Sequence, residues 1–276
     1  MPEGDAIFKT ARTLNRALAG QRVTRFRTML VHLARVDTDN PIAGRTVESV
    51  NAAGKHLLIS FSGHLVLRTH MRMNGSWHIY RPGERWQLPA SAMRIVLETD
   101  DWVAVAFRVH AAEFVRSTEL SRHRPIATLG PDLLSESFDA EEALRRMKEY
   151  ASTPIADALI NQRVVAGVGN VYKSEVLFLA GINPGQPVAS VEDAALANVI
   201  AIARRLLLEN VAEKPGPAMV TYRGFRRTTG PQDRLWVYSR AGLPCRKCGT
   251  PIVWKKTGDD ARVTYWCPKC QPMRSS

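Results

Sequence analysis

Cysteine is missing from the first 244 residues, and no apolar run approaches the roughly 18 residues that a membrane-spanning helix needs. The first absence excludes a disulfide framework over most of the chain, and the second excludes an integral helical membrane protein. The start lacks the basic-then-apolar pattern of a secretory signal, so a cytoplasmic protein is expected. Acidic residues are also scarce, 26 Asp and Glu against 38 Lys and Arg, which leaves a formal charge of +12 over 276 residues. With a pI near 10.0, the natural partner is a polyanion rather than a cationic ligand. Neither an internal repeat nor a strongly low-complexity segment is present.

The positive charge is concentrated at one end. From residue 222 onward there are twelve Lys or Arg and three Asp, interleaved with Tyr222, Phe225, Trp236, Tyr238, Trp254, Tyr265 and Trp266. A solvated basic face is the plainest reading of such a run. The interleaved aromatics favour nucleic acid, and without a basic amphipathic helix or lipidation motif an anionic membrane is disfavoured.

All four cysteines lie in this tail as two Cys-x-x-Cys pairs, Cys245/Cys248 and Cys267/Cys270, with 18 residues between the pairs. Each pair lets two thiolates converge on one tetrahedral ion, and the intervening length suits one β-hairpin, 251–254 out and 263–266 back. The expected cofactor is a single Zn²⁺. Four sulfur ligands leave no open position for water, so the metal is expected to be structural. Two disulfides are the competing reading, which the spacing and the absence of a secretory signal disfavour.

Hydrophobic periodicity divides the rest of the chain. A stripe of Ile7, Ala11, Leu14 and Leu18 predicts a helix over 5–19, stopped by Gly20. From 21 to 112 the period shortens to two, predicting strands at 47–50, 57–61, 65–69, 76–80, 94–98 and 103–107, with turns at Ser62-Gly63 and Asp100-Asp101. Short strands in succession imply a sandwich or barrel. Beyond Leu129-Gly130-Pro131-Asp132 the pattern turns helical. Asp139 and Glu142 form a capping box for a helix to about 150, and Thr153 caps a helix over 155–162 with Pro154 in its first position. Further helices are expected at 171–180 and 190–211. The fold class is therefore α+β: an N-terminal helix with an antiparallel β domain over 1–128, a linker over 129–138, a helical domain over 139–234, and a zinc hairpin over 235–276.

Two short segments suggest chemistry. In Gly167-Val168-Gly169-Asn170, glycines permit close approach of the backbone to a phosphate, the following helix presents free N–H groups, and Asn170 adds an amide donor. An ordinary helix–helix turn would look the same. At the start, Met1-Pro2-Glu3 is compatible with removal of Met1, which would expose the secondary amine of Pro2. An α-amine titrates near about 7.7–8.0, so part of it is nucleophilic at neutral pH. Attack on a sugar C1′ would give a tertiary iminium, an electron sink that acidifies the C2′ hydrogens, with Glu3 adjacent as proton donor and shuttle. An ordinary start sequence is the alternative.

Taken in order, Met1-Pro2-Glu3-Gly4, Gly54-Lys55-His56-Leu57-Leu58, Gly167-Val168-Gly169-Asn170-Val171-Tyr172 and Trp236-Val237-Tyr238…Gly242…Pro244-Cys245…Cys270 give a wider pattern. Over nearly its whole length the chain resembles the formamidopyrimidine-DNA glycosylase/endonuclease VIII family of base-excision repair enzymes, and its Pro-Glu-Gly start looks more like the endonuclease VIII branch. The resemblance implies an N-terminal β-sandwich, a helix–two-turn–helix domain ending in a zinc hairpin, and damaged DNA in the cleft between, bound by a monomer that is nucleoid-associated if bacterial. It assigns Pro2 as Schiff-base nucleophile, Glu3 as general acid, Lys55 and Arg262 as the cations beside the lesion, and Asn170 and His70 as further DNA contacts. Because such enzymes extrude the target nucleotide, an apolar wedge is expected, and Met73 with Arg72 and Asn74 beside it is the candidate; a buried strand methionine is the alternative. His56 is left as structural, and His110 and His123 carry no motif.

Departures from the family pattern bear on specificity. Position 6 is Ala where many relatives carry a second glutamate, Ser239 replaces a common glycine, and the zinc gap is longer than in many relatives. The segment 219–233 is a candidate lesion-capping loop. The expected activity is a bifunctional glycosylase and AP lyase acting on oxidised pyrimidines. A non-catalytic damage sensor and an enzyme for oxidised purines are the alternatives.

Overall fold

Helix α1 (Gly4–Leu18) forms where the apolar stripe placed it, burying Ile7, Ala11, Leu14 and Leu18. The computed structural model describes residues 2–212, 221, 234–258 and 261–274, and it separates into two compact units, Met1–Thr128 and Leu129–Ser276.

The first unit is a sandwich of two four-stranded antiparallel sheets. One has the order β2-β3-β4-β8, built from β2 (Val47–Ala53), β3 (His56–Phe61), β4 (Leu65–His70) and β8 (Ala111–Arg116). The other has the order β1-β6-β7-β5, built from β1 (Arg25–Thr28), β6 (Met93–Glu98), β7 (Val103–Phe107) and β5 (Ser76–Tyr80). Alternation sends Leu57, Ile59, Phe61, Leu67, Ile95, Leu97, Ala104 and Ala106 into one shared core with α1.

Two strands and two helices of this unit escaped the periodicity. β1 is four residues long and half arginine, and β8 alternates weakly. Helix α2 (Val31–Asp39) starts from Leu30 without a side-chain cap, so nothing local marks its beginning. The expected turn at Ser62-Gly63 forms as a three-residue loop over 62–64, in which Gly63 and His64 hold φ of +80° and +61°.

The short α3 (Arg124–Ala127) closes the first unit. The second unit then contains α4 (Ala140–Lys148), α5 (Ile155–Ile160), α6 (Asn170–Ala180) and α7 (Asp193–Val211). Their common core includes Leu133, Met147, Leu159, Tyr172, Val176, Leu196 and Leu206. Leu133, within the expected linker, is thus fully buried. Asp139 caps α4 by accepting from the Glu142 N–H at 2.9 Å. The cap of α5 differs from expectation: Pro154, with extended backbone, is itself the N-cap, and the helix begins at Ile155. Gly181, at φ +69°, ends α6. Strands β9 (Val253–Thr257) and β10 (Arg262–Trp266) pair as an antiparallel hairpin.

Candidate functional site

In the first unit, the ends of several elements converge. The Gly20 N–H donates to the Val47 carbonyl at 2.8 Å, and the Val50 N–H donates to Asn15 Oδ1 at 2.7 Å, so α1 runs antiparallel to β2. Going from Asn15 back to Gly4 covers about 16 Å of helix, and going from Val50 on to Lys55 covers about 16 Å of strand. Glu3 and Lys55 therefore sit at the same end of the sandwich. Glu3 is the N-cap residue of α1, yet its side chain makes no capping bond to the helix. Glu3 is only 1% exposed and Lys55 7%, which is rare for either type. Pro2 is half-buried. Gly54, at φ +56°, turns the chain between β2 and β3 and delivers Lys55 to this end.

His70, the last residue of β4, lies directly opposite His56. Beyond it the 71–75 loop crosses from one sheet to the other. Arg72 takes a left-handed φ of +51°, and the Gly75 N–H closes the loop on the Met71 carbonyl at 2.9 Å. A side chain at Gly75 would collide with that same carbonyl oxygen. The two methionines separate: Met71 is 4% exposed and belongs to the core, whereas Met73 is 64% exposed. The buried-methionine alternative thus fails for Met73, which stands out between exposed Arg72 and Asn74.

Electrostatics at this end disfavour further positive charge. Burial, with Lys55, Arg68 and Arg72 adding to it, lowers the His70 pKa to about 4. Burial also lowers His56 to about 3, helped by His70, Arg68, His123 and Lys55. Both imidazoles are neutral at physiological pH.

In the second unit, α5 and α6 are joined by two turns held by Gln162, a residue that no short motif marks. Gln162 donates from Nε2 to the carbonyls of Ile160 and Val168 at 2.8 and 2.9 Å, and its Oε1 accepts from the Gly167 N–H at 3.1 Å. Gly167, at φ +107°, permits that geometry. Asn170 then opens α6, and its Nδ2 donates to the Val263 carbonyl at 2.7 Å, next to Arg262. An amide has two N–H donors, so one of them anchors the hairpin. Asn170 Oδ1 is buried without a hydrogen-bond partner among the described residues. The two residues expected to meet phosphate in this unit are therefore adjacent, at the N-terminal end of α6.

A second residue without a motif is Glu175. Fully buried on α6, it accepts from the N–H groups of Trp236, Val237 and Tyr238 at 2.7, 2.9 and 2.8 Å and from the Thr221 hydroxyl. Burial pushes its pKa up, and these donors oppose that shift. Only the fold reveals it, because the amides it binds lie some sixty residues away.

The four cysteine sulfurs lie within 4.8 Å of one another. Cys245 and Cys270 are 3.9 Å apart, and Cys248 and Cys267 3.5 Å, close to the edges of a tetrahedron around Zn²⁺ with bonds of about 2.3 Å. Gly249 at φ +75° and the Cys245 N–H bond to Thr250 shape the first knuckle. Burial pushes the Cys270 thiol up to about 12, so a divalent cation has to supply the stabilisation that makes it a thiolate. The residues fit one structural Zn²⁺.

Family models match three stretches: the Formamidopyrimidine-DNA glycosylase N-terminal domain at residues 1–110, the Formamidopyrimidine-DNA glycosylase H2TH domain at 129–220, and the Zinc finger found in FPG and IleRS at 242–272. Endonuclease 8 2 of Mycobacterium tuberculosis is 39% identical, over 98% of this chain and all of that one. The chain belongs to the formamidopyrimidine-DNA glycosylase/endonuclease VIII family. Another member, DNA-(apurinic or apyrimidinic site) lyase Nei2 of Mycolicibacterium smegmatis, is 38% identical over 98% of this chain and 99% of its own. In fold, the chain is similar to Lactococcus lactis formamidopyrimidine-DNA glycosylase bound to DNA containing an AP site, with a TM-score of 0.82 at 20% identity over 98% of this chain and all of that one. Among the described residues no helix is long and apolar enough to cross a membrane. Of the candidate capping loop 219–233, all but Thr221 lies outside the described residues.

Proposed function

We propose that the protein is a bifunctional DNA glycosylase and AP lyase of base-excision repair, acting on oxidised bases with pyrimidines favoured. The observation that carries this reading is the buried Glu3 carboxylate, immediately after Pro2 and at the same end of the sandwich as buried Lys55. A protein that only binds DNA has no use for an acid and a cation sequestered beside its chain start, which sets the non-catalytic reading below this one. The pyrimidine preference is supported by the similarity to endonuclease 8.

In this reaction the Pro2 nitrogen, freed by loss of Met1, forms a bond to C1′ while the C1′–base bond breaks. The amine proton leaves with the departing base, and the Glu3 proton passes to the sugar ring oxygen as the C1′–O4′ bond breaks. The product is an iminium with no N–H to lose. Abstraction of a C2′ hydrogen then moves electrons toward that cation and expels the 3′-phosphate, and water finally hydrolyses the adduct. The positive end of the α1 dipole and the Lys55 ammonium favour the unprotonated amine at this position. Lys55, His70, Asn170 and Arg262 hold phosphates, and Met73 fills the stack left by the extruded nucleotide.

Borohydride should trap a covalent protein–DNA adduct by reducing the iminium. Pro2→Gly, or a protein that retains Met1, should lose most of it; an adduct of full yield from a chain with a blocked N-terminus refutes the mechanism. Lys55→Ala and Arg262→Ala should each weaken DNA binding across sequences and reduce the salt slope by about one counterion. An unchanged slope in both would remove them from the phosphate contacts.

A further inference from the structure

The face of the β2-β3-β4-β8 sheet opposite its main core carries a row of titratable groups of which the proposed mechanism uses only His70. Strand register puts His56 across from His70 and Arg68 across from Glu113. Glu113 Oε1 accepts from Arg68 Nε at 2.6 Å and pairs with Arg68 Nη2 and, at 3.2 Å, with His123 Nε2. Held in this way, Arg68 turns Nη1 toward His56 Nδ1, 2.8 Å away. The His56 and His70 rings meet edge to face with centroids 4.9 Å apart. At the far end, the Arg72 N–H donates to His70 Nδ1 at 3.1 Å.

Donor chemistry fixes the protons along this row. A guanidinium has no acceptor and a backbone amide can only donate, so Nδ1 of both His56 and His70 must be acceptors. A ring nitrogen that accepts carries no proton. Both rings are then neutral, with the hydrogen on Nε2. The groups facing them are Lys55 from the β2–β3 turn, Arg68 from β4, Arg72 from the 71–75 loop, Glu113 from β8, and His123 from the segment after β8. All are cationic or ionisable to cations except Glu113, which is occupied by Arg68 and His123.

We infer that Arg68, clamped by Glu113, is a positioning residue of the reaction, holding His56 and through it His70 in the form that offers Nε2–H to a phosphate oxygen. The hydrogen bond from Arg72 to the other nitrogen of the same ring sets the left-handed residue next to Met73, so the aim of the phosphate donor and the shape of the wedge loop are tied to one imidazole. A cationic histidine would break that tie, because its Nδ1–H would face the Arg72 N–H. The role in DNA binding rests on the function proposed above; the proton placement does not.

The test uses full-length zinc-loaded protein with ¹⁵N-labelled histidine. Wild-type His56 and His70 should each show one tautomer, protonated on Nε2, without titrating between pH 8 and 5.5. In Arg68→Met combined with Glu113→Gln, which removes both charges together, a histidine ionisation should appear within that range. Glu113→Gln alone keeps the guanidinium and an acceptor oxygen but weakens its clamp by removing the charge. It should raise the Kd for a duplex carrying a tetrahydrofuran abasic analogue by about three- to tenfold. That loss should vanish in a His70→Ala background. A wild-type His70 that is protonated on Nδ1 or titrates near 6.5 overturns the inference even if no variant folds, and so does a Glu113→Gln effect that adds fully to His70→Ala. Borohydride trapping by a protein lacking the single His70 tautomer refutes this inference and spares the proposed function, whereas the tautomer without trapping does the reverse.

Discussion

Glu175→Gln should cost far more than a substitution of nearly equal shape suggests. The carboxylate uses both oxygens twice: Oε1 accepts from Val237 and Tyr238, and Oε2 from Trp236 and Thr221. With NH₂ in place of Oε2, the Thr221 hydroxyl can turn to accept from it, but the Trp236 N–H is left facing a donor in a site with no access to water. A buried donor left without an acceptor costs about 1–3 kcal/mol, so the substitution should destabilise the protein by about that much. The loss should be local first. Trp236 also receives the Arg240 guanidinium on its carbonyl at 2.6 Å, and Arg240 in turn reaches the Pro244 carbonyl at 3.0 Å, just before the first zinc ligand. Urea unfolding of the zinc-loaded protein would give the stability change, and amide hydrogen exchange at 236–238 would show where it arises. A change below about 0.5 kcal/mol with exchange at those three amides still protected would refute the reasoning.

Two further outcomes follow from the geometry. Removing the metal with a chelator should unfold the β9–β10 hairpin, which carries Trp254 and Trp266, and abolish DNA binding until Zn²⁺ is restored; metal-free protein with full affinity would contradict a structural ion. His56 is held neutral in the folded state, with its pKa lowered from 6.5 to about 3, whereas the unfolded chain takes up a proton below 6.5. Its contribution is therefore complete above pH 6.5 and is lost as the pH falls toward 3, amounting to about 2 kcal/mol by pH 5. Denaturant titrations at pH 7.5 and 5 should show this together with a similar loss from His70, and His56→Asn should remove about half of the difference.

Local chemistry reaches some of these features and not others. The stripe on α1, the Asp139 cap, the Gly181 stop and the two Cys-x-x-Cys pairs are each written within a few residues, because helical period, capping and metal geometry are short-range. For the same reason the short motifs at Pro2, Lys55 and Asn170 are legible from residue order. β1 and α2 are not, since one is too short for a period and the other starts without a cap. Whether Met71 or Met73 points inward depended on how the 71–75 loop crosses between two sheets. The Glu175 cluster and the Arg68–Glu113 clamp join residues 61–63 and 45 positions apart, respectively. Residue types alone determined a basic α+β chain with four thiols spaced for one Zn²⁺ and with Pro2 and Glu3 at its start. Tertiary structure alone decided which buried charges found partners, because strand register and helix packing, not sequence proximity, bring a carboxylate to its donors.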